Sequence, residues 1–148
     1  MSRLQAFLTG AGRDDAGRTV PEVLAFDDDA LERRHDFIQW LFPLPEPSRA
    51  VPGSPVLTPA DIAALKASPS AQANLQAAAE RMLAFYASTR AWLRPADHNH
   101  LRITRIIRSL RLLVGPCEAD RFKGGVMDLA RARGAEINPT TLRFWAEA

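Results

Sequence analysis

The segment from residue 100 to residue 114 constrains the fold of this chain more than any other. Its apolar residues recur at the three-to-four residue spacing of an α-helix and project within about 120° of one another. They are Ile103, Ile106, Ile107, Leu110, Leu113 and Val114. Asp97 or Asn99 supplies an N-terminal cap, and Gly115 followed by Pro116 ends the helix. A helix with such an apolar face needs other helices to cover it.

Cap and stop signals predict helices along the rest of the chain as well. They fall over residues 3–8, 30–42, 60–67, 70–92 and 118–133, with a last helix that starts at 138 and a short helical piece over 21–26. No run alternates between apolar and polar residues as a strand would. The sequence therefore predicts an all-α fold, an irregular bundle of six or seven helices in a single domain over residues 1–148.

A proline-rich connector interrupts this helical pattern. Six prolines lie between residues 43 and 59, a density that excludes both helix and strand. We expect an extended segment that wraps the surface. The core should then be formed by the apolar faces on both sides of it: Phe37, Ile38, Leu41, Met82, Tyr86, Ile103, Ile106, Ile107 and Leu110.

Composition limits the class of protein and its location. The single cysteine, Cys117, cannot form an internal disulfide, which fits a reducing compartment. No secretory signal and no apolar run of about 20 residues is present, so we expect a cytoplasmic protein without a transmembrane segment. The net charge of +2 implies no strong unspecific attraction to nucleic acid. Its distribution is uneven, because the first 48 residues hold five basic and nine acidic side chains and the remainder fourteen and eight.

Three groups of residues carry a family resemblance. They are the run from His35 to Pro43 with the later pairs Glu46-Pro47 and Leu57-Thr58, the run from Arg81 to Tyr86, and the run from Asn99 to Leu110. Together, over roughly residues 30–130, they resemble the conserved region of the opioid growth factor receptor family. The resemblance implies an all-α domain and a family named for a receptor of an enkephalin peptide in animals. The short, arginine-rich and alanine-rich chain is expected of a bacterial member.

Histidines are the first candidates for a site. His35 with Asp36, and His98 with His100, offer the usual metal ligands and proton carriers. On the expected helix His35 lies beside Gln39, whereas Asp36 points about 100° away. A histidine that donates to a backbone carbonyl where helices pack explains His35 equally well, and Asn99 as a helix cap explains its neighbourhood. A small metal-dependent or acid–base hydrolase using His35, Asp36, His98 and His100 remains the alternative function.

Arginines on the 100–114 helix are the second candidates. Arg105 and Arg108 lie opposite its apolar face, flanked by Arg102 and Arg111, so four guanidinium groups could form one cationic surface. A solvated face, or ion pairs with the acidic first half of the chain, is the alternative interpretation. Arg102 and Arg105 adjoin apolar side chains, which indicates a second, partly buried contact. Buried arginines would need carboxylate partners.

The leading hypothesis is a non-enzymatic binding or interaction domain. Its partner would be an anionic small molecule, a peptide or an acidic protein surface; nucleic acid is possible but no motif supports it. Neither a phosphate-binding loop nor a paired cysteine set is present, so we expect no cofactor, no metal and no catalytic residues. The candidate ligand-binding residues are Arg102, Arg105, Arg108, His35, Gln39, His98, Asn99 and His100.

Overall fold

The computed structural model describes all residues from 1 to 148 and contains nine helices and no strand. In chain order they are α1 (Arg3–Thr9), α2 (Val20–Leu24), α3 (Asp28–Arg33), α4 (Ile38–Leu41), α5 (Pro59–Ala67), α6 (Pro69–Ser88), α7 (His98–Leu113), α8 (Pro116–Ala132) and α9 (Pro139–Glu147). The all-α prediction is confirmed. None of these helices is long and apolar enough to cross a membrane.

Helices α6, α7 and α8 form the centre of the bundle. α7 packs most extensively on α8 and also contacts α5, α6 and α9, while α1 and α2 cover α6. Thirty-two buried apolar residues join into one cluster that draws on all nine helices. Every residue that the sequence assigned to the core is among them, including Met82 and Tyr86, each with no exposed surface. One shared core of this kind lets a chain of 148 residues fold without disulfides or metals.

The ends of the helices follow the capping signals in the sequence. Thr58 and Asp61 exchange hydrogen bonds as a capping box at the start of α5, and the Asp97 carboxylate accepts from the Asn99 backbone at the start of α7. Gly115 has a φ of 139°, which only glycine adopts readily, and so it ends α7 and turns the chain into α8. The connector from residue 43 is free of helix until α5 begins at Pro59, as expected.

One expected helix is broken in the structure. Residues 30–42 do not form a single helix, because α3 ends at Arg33 and α4 begins only at Ile38. Arg34 has an extended backbone (φ −85°, ψ 134°), and its carbonyl turns out of the helical direction. His35 and Asp36 therefore lie in a short link, not on a helix beside Gln39. No proline or glycine announces this break, which depends on a partner from α7 described below.

Helix α6 also ends earlier than its apolar spacing predicts. It stops at Ser88, and Trp92 lies in the following turn. The indole of Trp92 is fully buried and donates to the backbone oxygens of Tyr86 and Thr89. Arg133 donates to the same two oxygens and to that of Ala87. The last carbonyls of α6 are thus satisfied by side chains from outside the helix.

Ile106 provides a direct test of this core. It has no exposed surface in the middle of α7, whereas Leu101 on the opposite side of the same helix is 74% exposed. Ile106→Asp should abolish cooperative thermal unfolding, because an unpaired charge in the core costs several kcal/mol. Leu101→Asp should leave the melting temperature within a few degrees of that of the parent chain. Thermal unfolding is followed by circular dichroism. Equal melting temperatures for the two variants would contradict this placement of α7.

Candidate ligand-binding site

Arg102 of α7 is a buried guanidinium that binds backbone carbonyls. It is only 8% exposed, and its Nη1 donates to the oxygen of Leu31 at 2.7 Å. Its Nη2 donates to the oxygen of Arg34 at 2.6 Å. These two acceptors lie at the end of α3 and in the link that follows, so Arg102 holds open the break between α3 and α4. Burial lowers the pKa of Arg102, although the charges of Tyr86, Glu32 and Asp97 oppose the shift.

Two further side chains of α7 bind the segment that follows α4. Arg105 Nε donates to the oxygen of Phe42 at 2.8 Å, and Ser109 Oγ donates to the oxygen of Pro43 at 2.8 Å. Burial lowers the pKa of Arg105 to about 10, and the charge of Arg108 contributes in the same direction. The expectation that Arg102 and Arg105 belong to an open cationic surface is therefore not met. The prediction that buried arginines pair with carboxylates is also wrong for these two, because backbone carbonyl oxygens accept their hydrogen bonds.

A polar cluster surrounds the first turn of α7, and we call it the cap cluster: Glu32, His35, Asp97, His98, Asn99 and Arg102. Asn99 is buried at its centre. Its side-chain amide donates to Glu32 Oε2 at 3.0 Å and to Asp97 Oδ1 at 2.9 Å. Its side-chain oxygen accepts from the Tyr86 hydroxyl at 3.3 Å. Asn99 thus links α3, α6 and α7, and its backbone N–H also takes part in the cap at the start of α7.

The two exposed histidines of the cap cluster lie against each other. The ring centres of His35 and His98 are 5.5 Å apart in an edge-to-face arrangement. His98 Nε2 lies 3.4 Å from Glu32 Oε1, and its Nδ1 lies 3.6 Å from Asp97 Oδ1. His35 Nδ1 lies 3.4 Å from Arg102 Nη2. Four of the eight predicted site residues, His35, His98, Asn99 and Arg102, are therefore brought together.

Glu32, Asp97 and His98 are the only histidine, cysteine or acidic side chains that group closely enough to suggest a metal site, with ligand atoms within 4.8 Å of one another. Two of these three side chains, Glu32 and Asp97, however, already accept hydrogen bonds from Asn99. Both carboxylate oxygens of Asp97 accept hydrogen bonds, Oδ1 from Asn99 and Oδ2 from Arg94. Arg102 can only donate, so His35 Nδ1 must accept and its Nε2 carries the proton. This donor set suits a helix cap better than a metal centre.

The other predicted residues lie apart from the cap cluster. His100 is buried, with Nε2 2.8 Å from the oxygen of Trp92 and its ring against Trp145. Asp36 accepts from Arg18 at 3.0 Å. The four residues of the hydrolase hypothesis, His35, Asp36, His98 and His100, therefore do not converge on one centre. Gln39 is buried, and its side-chain oxygen has no hydrogen-bond partner.

Of the three arginines among the predicted ligand-binding residues, only Arg108 faces outward, and it lines a groove between α7 and α9. The groove has a volume of about 450 Å³. It is lined by Thr104, Arg108, Arg111, Leu112, Phe144, Glu147 and Ala148. Phe144 is 54% exposed, unusually open for a phenylalanine side chain. Arg111 donates to Asp120 at 2.7 Å, and this hydrogen bond lowers the pKa of the Asp120 carboxyl. The groove thus combines the apolar side chains of Leu112 and Phe144 with two guanidinium groups and the carboxylate of Glu147.

Sequence reasoning missed most of this groove. Neither Phe144 nor Leu112 was among the predicted site residues, and Trp145, next to Phe144 in the sequence, is fully buried. A signal was present in Leu101 and Leu112, which interrupt the polar side of α7. These two leucines indicate a partly apolar outer surface on α7. The residues of α9 that complete the groove lie about thirty residues later in the sequence, so their position beside α7 could not be predicted.

Replacement of Arg102 tests its structural role. Arg102→Ala leaves the carbonyls of Leu31 and Arg34 without their donor, and we expect a loss of about 3 kcal/mol in the free energy of unfolding. Arg108→Ala on the same helix removes only a partly exposed ion pair, so its loss should stay below about 1 kcal/mol. Urea unfolding followed by fluorescence measures both. Similar values for the two variants would show that Arg102 does not hold the α3–α4 link.

Asp97 makes the cap cluster sensitive to acid. Burial alone would raise the pKa of its carboxyl, but hydrogen bonds from Arg94 and Asn99 outweigh burial and lower it from 3.8. The ionised group therefore contributes stability above that ordinary value, and the contribution disappears as the pH falls through the lowered pKa. The difference in unfolding free energy between the parent chain and Asp97→Asn should be largest near neutral pH and shrink toward about pH 2. A difference independent of pH would exclude this role.

Comparison with known proteins places these features in a family context. Residues 19–91 match the family model described as the opioid growth factor receptor conserved region. The opioid growth factor receptors of Rattus norvegicus and Mus musculus are each 40% identical to this chain over 100 aligned residues. These alignments cover 55% of this chain and 17% and 16% of the two receptors. The Homo sapiens receptor is 39% identical over 100 aligned residues, and the alignment covers 55% of this chain and 15% of that receptor.

The chain spans about a sixth of the length of these curated relatives. No solved structure matches it. The matched region contains α2 to α6, together with Glu32 and His35 of the cap cluster, whereas α7, α8 and α9 follow it. Over about half of its length, this chain is similar to the conserved region of the opioid growth factor receptors.

Proposed function

We propose that this chain is a member of the opioid growth factor receptor family and a non-enzymatic binding domain. Its ligand is a short peptide that carries an aromatic side chain and an anionic group, bound in the groove between α7 and α9. The similarity to the rat and mouse receptors supports a receptor-like role. In this proposal α2 to α6 provide the scaffold that positions α7, and α7 and α9 provide the contacts.

The observation that carries this proposal is the composition of the groove. Phe144 and Leu112 expose apolar surface that a bound aromatic side chain would remove from water, at about 25 cal/mol for each Å². Arg108 and Arg111 stand beside them with guanidinium groups that match a carboxylate or phosphate. A groove of this volume with a few polar groups is typical of small-ligand sites.

The present partners of the two arginines are exchangeable. Arg108 pairs with Glu46, and the two side chains are 41% and 52% exposed. Arg111 pairs with Asp120, whose side chain is mostly exposed as well, and its Nε also donates to the backbone oxygen of Ala148 at 3.2 Å. Exposed pairs of this kind contribute about 0 to 1 kcal/mol. An anionic group on a ligand can therefore replace them without a large penalty.

Calorimetric titration of the full chain with an enkephalin peptide, the ligand that the family resemblance implies, tests the proposal. The form with a free C-terminal carboxylate should bind, and the amidated form should bind more weakly because it lacks the anionic group. Arg108→Ala and Phe144→Ala should each weaken binding about tenfold or more.

Arg121→Ala is the matched control, because Arg121 is an exposed arginine on α8 outside the groove. It should bind as the parent chain does. No binding of either peptide form at millimolar concentration, or equal binding by Arg108→Ala, would refute the proposed site.

A further inference from the structure

Arg105 and Arg108 stand three residues apart on α7, and Arg108 pairs with Glu46 of the proline-rich connector. Arg108 Nη1 lies 2.5 Å from Glu46 Oε1, and this hydrogen bond is the main cause of the lowered pKa of Glu46. Arg105 also attracts the Glu46 carboxylate, although more weakly. The connector therefore places one carboxylate before two guanidinium groups.

The hydrogen bonds of Arg105 are incomplete. Its Nε is bound to the oxygen of Phe42, but its Nη2 is buried and has no partner. Buried donors without a partner are uncommon in folded proteins, and a bound ion is one of the few arrangements that explain them. The two positive charges also face a single negative charge. An acceptor with more oxygen atoms and more charge than Glu46 would satisfy both guanidiniums.

We propose that Arg105 and Arg108 form a binding site for a phosphoryl group, which Glu46 covers in the free chain. A phosphate monoester carries a charge of about −1.5 to −2 and three acceptor oxygens, so it can engage both arginines where a carboxylate serves one. This inference rests on the proposed function and deepens it, because it names the anionic group of the bound peptide as a phosphorylated side chain. Arg108 belongs to both sites and joins the phosphoryl group to the apolar groove.

The position of Glu46 allows it to leave. Its carboxylate has no hydrogen-bond donor other than Arg108, and it lies in a segment without helix between α4 and α5. The connector itself is held elsewhere, by Ser109 on the oxygen of Pro43 and by the Leu57 amide on the oxygen of Leu44. Glu46 can thus rotate away while the backbone around it stays in place.

The test uses a short blocked peptide that contains phenylalanine next to phosphoserine. The same peptide with serine, the same peptide with glutamate, and inorganic phosphate serve as comparison probes. We expect the phosphopeptide to bind the full chain at least about tenfold more tightly than either comparison peptide. Arg108→Ala should remove this preference. Side-chain ¹⁵N signals of arginine should show that Arg105 changes together with Arg108, which a ligand held by Arg108 alone would not cause.

Removal of the Glu46 carboxylate should change the affinity in the opposite direction from removal of Arg108. Glu46→Gln should raise the affinity for the phosphopeptide about threefold or more, since the ligand no longer competes with Glu46. Glu136→Gln is the matched control for the same change in net charge, because Glu136 is exposed beyond the end of α8. Equal gains in both variants, or none in Glu46→Gln, would overturn the covering role.

The outcomes also separate this inference from the proposed function. If the serine and glutamate peptides bind as tightly as the phosphopeptide, the groove is a peptide site and the phosphoryl site is refuted. If inorganic phosphate shifts the Arg105 and Arg108 signals and no peptide binds more tightly than inorganic phosphate does, the phosphoryl site is supported and the peptide groove is refuted. Absence of binding by every probe refutes both.

Discussion

Side chains of α7 bind the backbone oxygens of the segment between residues 31 and 43, and the rest of the structure depends on this contact. Arg102 takes two of these oxygens, and Arg105 and Ser109 take one each. The segment passes close to the core, where backbone oxygens without a donor are costly. α7 therefore acts as a partner for a stretch of chain that forms neither one continuous helix nor a strand.

This contact divides the arginines of α7 by function. The helix looks uniformly basic in sequence, yet Arg102 and Arg105 turn toward the 31–43 segment and carry its hydrogen bonds. Arg108 and Arg111 turn outward and pair with the exposed carboxylates of Glu46 and Asp120, and Arg111 Nε also donates to the backbone oxygen of Ala148. The positive charge that is open in the free chain is consequently small and local, and it lies where α7 and α9 line the groove around Phe144.

The sequence was sufficient for the fold class, the core and most helix ends, because these depend on local signals. Apolar spacing identified the buried face of α7, and caps such as Asp97 and Thr58 stand where expected. The break at Arg34 could not be foreseen, since its cause is a donor nearly seventy residues away. For the same reason the groove escaped prediction. Phe144 has ordinary helical spacing, and only the packing of α9 on α7 leaves it uncovered.

Recognition through carbonyl oxygens does not depend on the side chains of the bound segment. Every residue type presents the same oxygen, so α7 reads the path of the 31–43 segment and not the identity of its outward side chains. His35 and Asp36 can be exchanged by mutation without loss of any of these four bonds, provided that the backbone keeps its course. The donors on α7 thus tolerate a change in the side chains of the link far better than a change in its backbone course.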